Sequence, residues 1–372
     1  MDRRGTDRRR EQVQSVPSGA SVVPSPVQSC PTVTGGAATP KEDETHGDPL
    51  QWLLETDVEN PGVRFYALRD LLGRPPDDLE LAAAQAGVMR TGPVPVILNA
   101  QAEAGYWVKP GPGYSPKYRS TVWSLMFLAQ FGADGHDERV QKGIDYLLTH
   151  ARLENGAFSC NGRADQVVHC LWGNLVRTLL DLGCWGDPRL DVSIDHLARS
   201  ITGDGYGSYH RTRGLLGPRF ACAYSDGLPC TWGAVRAFWA LTRVPEAART
   251  PAVNAAIEAS ADFLLSHSVR QADYPHSRFI SPRWFEFGYP LAYAADVLLN
   301  LEALIAAGYR KAPKVIEALE WARSKQDADG RWKLEHTYRD KMWVEVEEKG
   351  KPSKWVTLRA LRVLRAAEAV AA

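Results

Sequence analysis

The sequence predicts an all-α chain over residues 48–372, a closed ring of five to six helix pairs, that is, an α/α toroid. Three observations predict it. First, helical runs that open near a tryptophan recur: Trp123 to Trp172 is 49 residues, Trp172 to Trp232 is 60, and Trp232 to Trp355 is 123, room for two further units. Second, each unit carries two amphipathic runs separated by a short break. Third, the period-2 alternation of half-buried strands is missing. Helix pairs of this length stack as an open solenoid or close into a ring. Five or six pairs suit the ring, with the first helices lining an inner barrel and the second helices wrapping it.

The units follow in order. Gln51 to Leu71 supplies a first helical piece. Trp123 opens WSLMFLAQFG, followed by DERVQKGIDYLLTH. Trp172 opens WGNLVRTLLDLG, then DPRLDVSIDHLARS. Trp232 opens WGAVRAFWALTRV, then TPAVNAAIEASADFLLSH. Tyr293 opens YAADVLLNLEALIAAG, then APKVIEALEWARSKQ. Trp355 opens the last helix. Apolar residues recur at helical spacing, as in Ile144, Leu147 and Leu148 or Val315, Leu319 and Trp321. Gly132, Gly183 and Gly308 stand where first helices should stop.

Residues 1–47 are rich in Ser, Pro, Thr, Gly and charge, and the expectation there is a disordered tail that includes Cys30. The chain has 44 basic and 44 acidic residues, so no general basic field points to nucleic acid. No apolar run approaches the roughly 20 residues that span a bilayer. The N-terminal arginines are not followed by the apolar stretch of a secretory signal. A cytoplasmic placement is expected, and with it six cysteines that are reduced or hold metal rather than form disulfides.

Two stretches echo each other one unit apart. Phe158-Ser159-Cys160 and Phe220-Ala221-Cys222 each open a polar loop. Each loop ends in a second cysteine, Cys170 or Cys230, two residues before a Trp-Gly pair. A single free cysteine is an ordinary core residue. Two pairs at matching positions read as a site. Cys160, Cys170, Cys222 and Cys230 would make a thiolate centre, with His169 or Asp226 able to replace one thiol. Thiolates favour zinc, or less readily an iron–sulfur cluster. His210, in the loop YGSYHR, Glu286, in an aromatic loop beside Arg283, and Asp226 are the candidate catalytic groups. Aromatic residues expected to line a central cavity are Trp123, Trp172, Trp232, Trp284, Phe285, Tyr289, Tyr293 and Trp355.

Gln326 to Trp332, QDADGRW, matches the Q-x-x-D-G-x-W signature of squalene-cyclase repeats, and Gln101 to Trp107, QAEAGYW, is a weaker copy. Asn155 to Phe158 and Gly203 to Tyr206 look like degenerate ones. The chain resembles the terpenoid-cyclase and protein-prenyltransferase toroid superfamily over about residues 107–372. That resemblance implies a central cavity suited to an apolar, isoprenoid-like or aromatic molecule. It also implies an initiating D-x-D-D run or a magnesium-binding D-D-x-x-D, and neither is present. Asp226 to Trp232, DGLPCTW, resembles half of the prenyltransferase zinc motif, with extra residues between Asp226 and Cys230. The histidine that motif requires one repeat later has no counterpart. A prenyltransferase-β-like enzyme would also need a partner chain, which one sequence does not reveal. A lanthipeptide-cyclase-like toroid would carry Cys-His-Gly, where this chain has His169-Cys170. Three expectations result. The first is an enzyme acting on an apolar small molecule in the cavity, with a thiolate metal site at the barrel mouth. The second is a non-catalytic toroid module with a structural zinc. The third is a prenyltransferase-β-like zinc enzyme.

Overall fold

The computed structural model describes residues 48–204, 216–275 and 280–369. The expected tail (1–47) and His210 lie outside them. Among the described residues the chain is all-helical, with no strand. The helices are α1 (Pro49–Leu54), α2 (Pro61–Tyr66), α3 (Leu79–Val88), α4 (Pro93–Asn99), α5 (Thr121–Phe131), α6 (Glu138–His150), α7 (His169–Asp181), α8 (Pro188–Thr202), α9 (Thr231–Leu241), α10 (Pro251–Ser266), α11 (Val297–Ala306), α12 (Pro313–Arg323) and α13 (Lys354–Glu368). A π-helical turn, Ala67–Leu71, prolongs α2.

Local chemistry sets the boundaries. Asp137 accepts from the amide of Arg139 at the start of α6, and Asp187 accepts from Arg189 at the start of α8. These side chains satisfy amides that have no partner within the helix. Gly132 ends α5 in the left-handed conformation.

Helices α5, α7, α9, α11 and α13 pack in succession, and α13 packs on α2. Helix α6 covers α5, α8 covers α7, α10 covers α9 and α12 covers α11. The closest contact is α7 on α9, and a glycine permits it. A Cβ at Gly173 would come within 2.5 Å of the Arg236 backbone. Helix α5 is apolar nearly all round, and ten of its eleven residues are buried.

The two Q-x-x-x-G-x-W stretches fold identically, and their contacts give the reason for the motif. Gln101 donates to the Gly105 carbonyl and Gln326 donates to Gly330. The Trp107 amide donates to Thr121 Oγ1, and the Trp332 amide donates to Thr357 Oγ1. The indole of Trp107 donates to Ile97 O and that of Trp332 to Ala322 O. Each motif therefore ties the end of one covering helix to the first turn of the next inner one. The degenerate copy at 155–158 keeps the turn. Gly156, like Gly105 and Gly330, has a positive φ, and its amide donates three residues back.

One helix departs from the expected pattern. The stretch from Tyr293 has helical periodicity, but α11 begins at Val297. Asp296 caps it by accepting from the Leu299 amide at 2.9 Å. The same carboxylate takes Arg359 of α13 in two bonds of 2.8 and 2.9 Å. That long-range ion pair fixes the helix start one turn late. Residues 289–295 are left as an irregular segment, bent at 289, 290 and 293, among the inner helices.

Candidate functional site

Segment 289–295 is held by side chains from three inner helices. Gln130 of α5 donates to Leu291 O and accepts from the Leu291 amide, at 2.8 and 2.6 Å. Asn174 of α7 donates to Ala292 O at 3.1 Å, and Arg236 of α9 donates to Ala294 O. Arg359 of α13 donates to Gly288 O at 2.8 Å, just before the segment. Tyr289 stacks on Trp355 with centroids 4.4 Å apart and planes 9° apart. Tyr293 meets Trp123 and Trp232 edge-on, at 6.4 and 5.7 Å. Leu291, Ala292, Ala294 and Ala295 are all buried. The chain's own backbone thus occupies part of the space among these helices, and a hollow of about 240 Å³ remains, lined by Tyr66, Gln130, Arg177, Trp239, Glu302 and Arg359 among others.

The expected aromatic residues divide accordingly. Trp123, Trp232, Tyr289, Tyr293 and Trp355 meet around this segment. Trp172 turns away, with its indole donating to Ser193 of α8 at 2.8 Å. Trp284 is buried with its indole on Val269 O, and Phe285 packs edge-on to Trp321 of α12.

The cysteine loops of the two repeats adopt the same hairpin. Ser159 pairs with Val167 and Ala221 with Pro229. The Cys160 amide donates to Gln166 O and the Cys222 amide to Leu228 O. The second cysteines differ. Cys230 precedes α9, and its sulfur accepts from the Gly233 amide at 3.4 Å as a helix cap. Cys170 lies inside α7, which begins one residue earlier, at His169.

All four thiols share one electrostatic neighbourhood. Interaction with the Cys222 thiol is the main reason Cys230 is lowered to about 7. Burial opposes the shift, while the Gly233 and Trp232 amides and the Ser225 hydroxyl reinforce it. The same interaction, with burial, raises Cys222 well above its usual range. Burial pushes Cys170 up to about 12, and the neighbouring Cys230 and Cys160 add to this. Burial raises Cys160 to about 11 against the opposing charge of Lys117. Of the four, Cys230 alone is lowered, and its sulfur sits at a helix N-terminus.

Lys117 and Tyr114 complete the surroundings. The Lys117 ammonium lies 4.4 Å from the centre of the Tyr293 ring and 5.1 Å from that of Tyr114. Sequence reasoning passed over both. Their loop precedes Trp123 as the cysteine loops precede Trp172 and Trp232, so repeat position was the available signal. Arg236 was also passed over. It is buried within α9, and burial lowers it to about 10.

The remaining candidates stand apart. His169 is buried with Nε2 3.1 Å from Ser200 Oγ of α8 and its ring edge-on to Phe220. Asp226 is exposed, in a left-handed conformation at the end of a short 3-10 turn. Glu286 is half-buried beside a hollow of about 20 Å³ that Arg283, His336 and Tyr338 also line. Burial, with Arg283 second, lowers His336 to about 4.

Among the described residues, no three His, Cys, Asp or Glu side chains form a metal-ligand group. His169 is committed to Ser200. Among the described residues, no helix is long and apolar enough to cross a membrane.

No protein-family model matches this chain. No curated protein matches it either. The site is therefore interpreted on its own chemistry.

Proposed function

We propose that the chain is a closed α/α toroid of the terpenoid-cyclase and prenyltransferase kind, and an enzyme whose nucleophile is Cys230. Closure is supported by the return of α2 to α5. The Tyr66 hydroxyl donates to Ala129 O, and a Cβ at Gly62 would come within 2.3 Å of Phe131 O. The observation that carries the functional reading is the placement of the Cys230 sulfur at the start of α9, on the Gly233 amide, where interaction with the Cys222 thiol lowers it to about 7. A thiolate so placed attacks an electrophilic carbon.

The substrate class follows from the walls. Tyr114, Trp232 and Tyr293 suit an apolar or aromatic acyl compound. The Cys230 sulfur bonds to the carbonyl carbon, the alcohol or thiol departs with a proton, and water releases the acid. Segment 289–295 lies between Trp123, Trp232 and Trp355, and the substrate is bound at the mouth beside Cys230.

A second reading is a non-catalytic module in which the four thiols hold a zinc ion. It is favoured by the segment among the inner helices and by the approach of Cys160 and Cys170 to the pair. One experiment separates the two. The reduced full-length protein is incubated with aryl esters of apolar acids and examined by intact mass and peptide mapping, beside elemental analysis. An acyl adduct on Cys230, lost in Cys230→Ser, is expected. No adduct, with one zinc per chain lost in both Cys160→Ser and Cys230→Ser, would replace the enzyme with the module.

A further inference from the structure

The hollow of about 240 Å³ lies at the opposite end of α7 and α9 from the cysteines. Cys170 and Cys230 stand where these helices begin, and Asp181 and Arg243 stand where they end. Guanidinium groups reach the hollow from four places. Arg69 comes from the π-helical turn after α2, Arg177 from α7, Arg243 from just beyond α9, and Arg359 and Arg362 from α13. Such π-helical turns are rare and occur mostly at functional sites. Three carboxylates share the walls, and each is divided between two donors. Asp70 takes Arg69 at 2.5 Å and also Arg362. Asp181 takes Arg177 at 2.7 Å and Arg243 at 2.9 Å. Glu302 accepts from the Trp239 indole at 2.7 Å and lies 3.5 Å from Arg177. Arg359 is already paired with Asp296. Arg69, Arg177, Arg243 and Arg362 therefore face only Asp70, Asp181 and Glu302, which leaves one positive charge in excess. The negative ends of α7 and α9 explain why arginines gather here. They do not explain the unspent donors. Arg69 uses Nε and Nη2 on Asp70, and Arg243 meets Asp181 through Nε. Among the described residues, Arg362 Nε has no hydrogen-bond partner.

We propose that this hollow binds a small phosphate-bearing molecule, a phosphate monoester or the free ion, between Arg69, Arg243 and Arg362. The inference does not depend on the role of Cys230. Guanidinium donors suit phosphate oxygens, and these arrive from the π-helical turn, from the end of α9 and from α13. A flat carboxylate takes such donors in one plane, whereas a tetrahedral phosphate accepts them from several sides. Arg177 is the fixed wall. It is bonded to Asp181 and to Trp239 O, and it lies 3.9 Å over the Trp239 ring. Pockets for drug-sized ligands begin at about 300 Å³, so this hollow takes a smaller molecule. Tyr289 and Leu291 of segment 289–295 also line it, so an occupant rests against that segment.

The test titrates the reduced full-length protein with glycerol phosphate and, separately, with inorganic phosphate, by calorimetry at low salt. Saturable binding at one site per chain is expected, with slower hydrogen exchange at 289–295 in the bound protein. Tighter binding of the ester would identify an organic ligand, and equal binding the free ion. Arg243→Ala and Arg362→Ala should each weaken binding about tenfold or more, the effect of losing a charge-assisted hydrogen bond. Arg243→Lys, which keeps the charge and loses the fork, should fall between Arg243→Ala and wild type. Arg243 is half-exposed, so its variants should fold, and circular dichroism checks this. Arg270→Ala, at an exposed arginine that pairs with Glu317 and does not line the hollow, should bind as wild type does. No saturable binding of either probe up to about 10 mM would overturn the site. Equal losses in Arg243→Ala and Arg270→Ala would overturn it too, because the attraction would then be general charge.

Discussion

Arg359 and Asp296 face each other in a two-bonded ion pair, with N–O distances of 2.8 and 2.9 Å and both side chains nearly withdrawn from solvent. The pair joins the last inner helix to the cap of α11, and Arg359 also donates to Gly288 O. Asp296→Asn keeps a capping side chain but leaves a buried guanidinium without its counter-charge. Removing one partner of such a pair costs about 3–5 kcal/mol. Urea unfolding should show a loss of that size. Adding Arg359→Met should recover part of it, because the stranded charge is then gone. A loss below about 1 kcal/mol in Asp296→Asn would mean that the pair does not set the start of α11.

Gln130 holds segment 289–295 by two bonds to the backbone of Leu291. Gln130→Ala leaves a buried amide and carbonyl unpaired, a cost of about 1–3 kcal/mol. The loss should appear first as local opening. Hydrogen exchange at 289–295 should accelerate by about tenfold or more, while α7 and α9 exchange as before. Equal acceleration throughout would show that the segment is not a separable unit.

Glu347 provides a pH test of the fold. It accepts from the Lys354 amide at 2.7 Å and from the Ser353 hydroxyl, at the start of α13. Burial raises its carboxyl from 4.5 to about 7. The nearby charges are Lys354 and Asp57. A raised pKa means that the folded state holds the proton more tightly than the unfolded chain does. The stabilisation is full below about pH 4.5 and is lost as pH rises through 7. The swing is about 3 kcal/mol. Glu347→Gln does not titrate, so its stability relative to wild type should improve by about that much from pH 4 to pH 8. A pH-independent difference would place the folded pKa at the ordinary value.

The sequence carried the local part of this architecture. Tryptophan spacing, glycine stops and aspartate caps are written in short windows, and α5, α7, α9 and α13 each begin within three residues before their tryptophan. The weaker Gln101–Trp107 copy behaves as the Gln326–Trp332 copy does, because its glutamine, glycine and tryptophan make the contacts. The course of residues 289–295 was hidden. Tyr293 to Asp296 has helical periodicity, but distant side chains, Asn174, Arg236 and Arg359, take the segment's backbone and cap instead. The thiol convergence was legible from the repeat, but the division of labour was not. Cys170 and Cys230 hold equivalent positions before Trp-Gly, yet α7 begins before its cysteine and α9 after. Only Cys230 becomes a cap. Asp226 and His169 flank the thiols in sequence, while the hairpin turns one to solvent and α8 draws in the other.

The most direct test of the thiolate site is the pH dependence of Cys230 alkylation in the folded, reduced protein, followed by peptide mapping. Cys230 should label first, with a midpoint near pH 7, while Cys160 and Cys170 stay protected at that pH. In Cys222→Ala the midpoint should climb toward the ordinary thiol value of about 8.5, since the interaction with Cys222 is lost. A wild-type midpoint at or above the ordinary value, or first labelling at Cys160 or Cys170, would contradict the account.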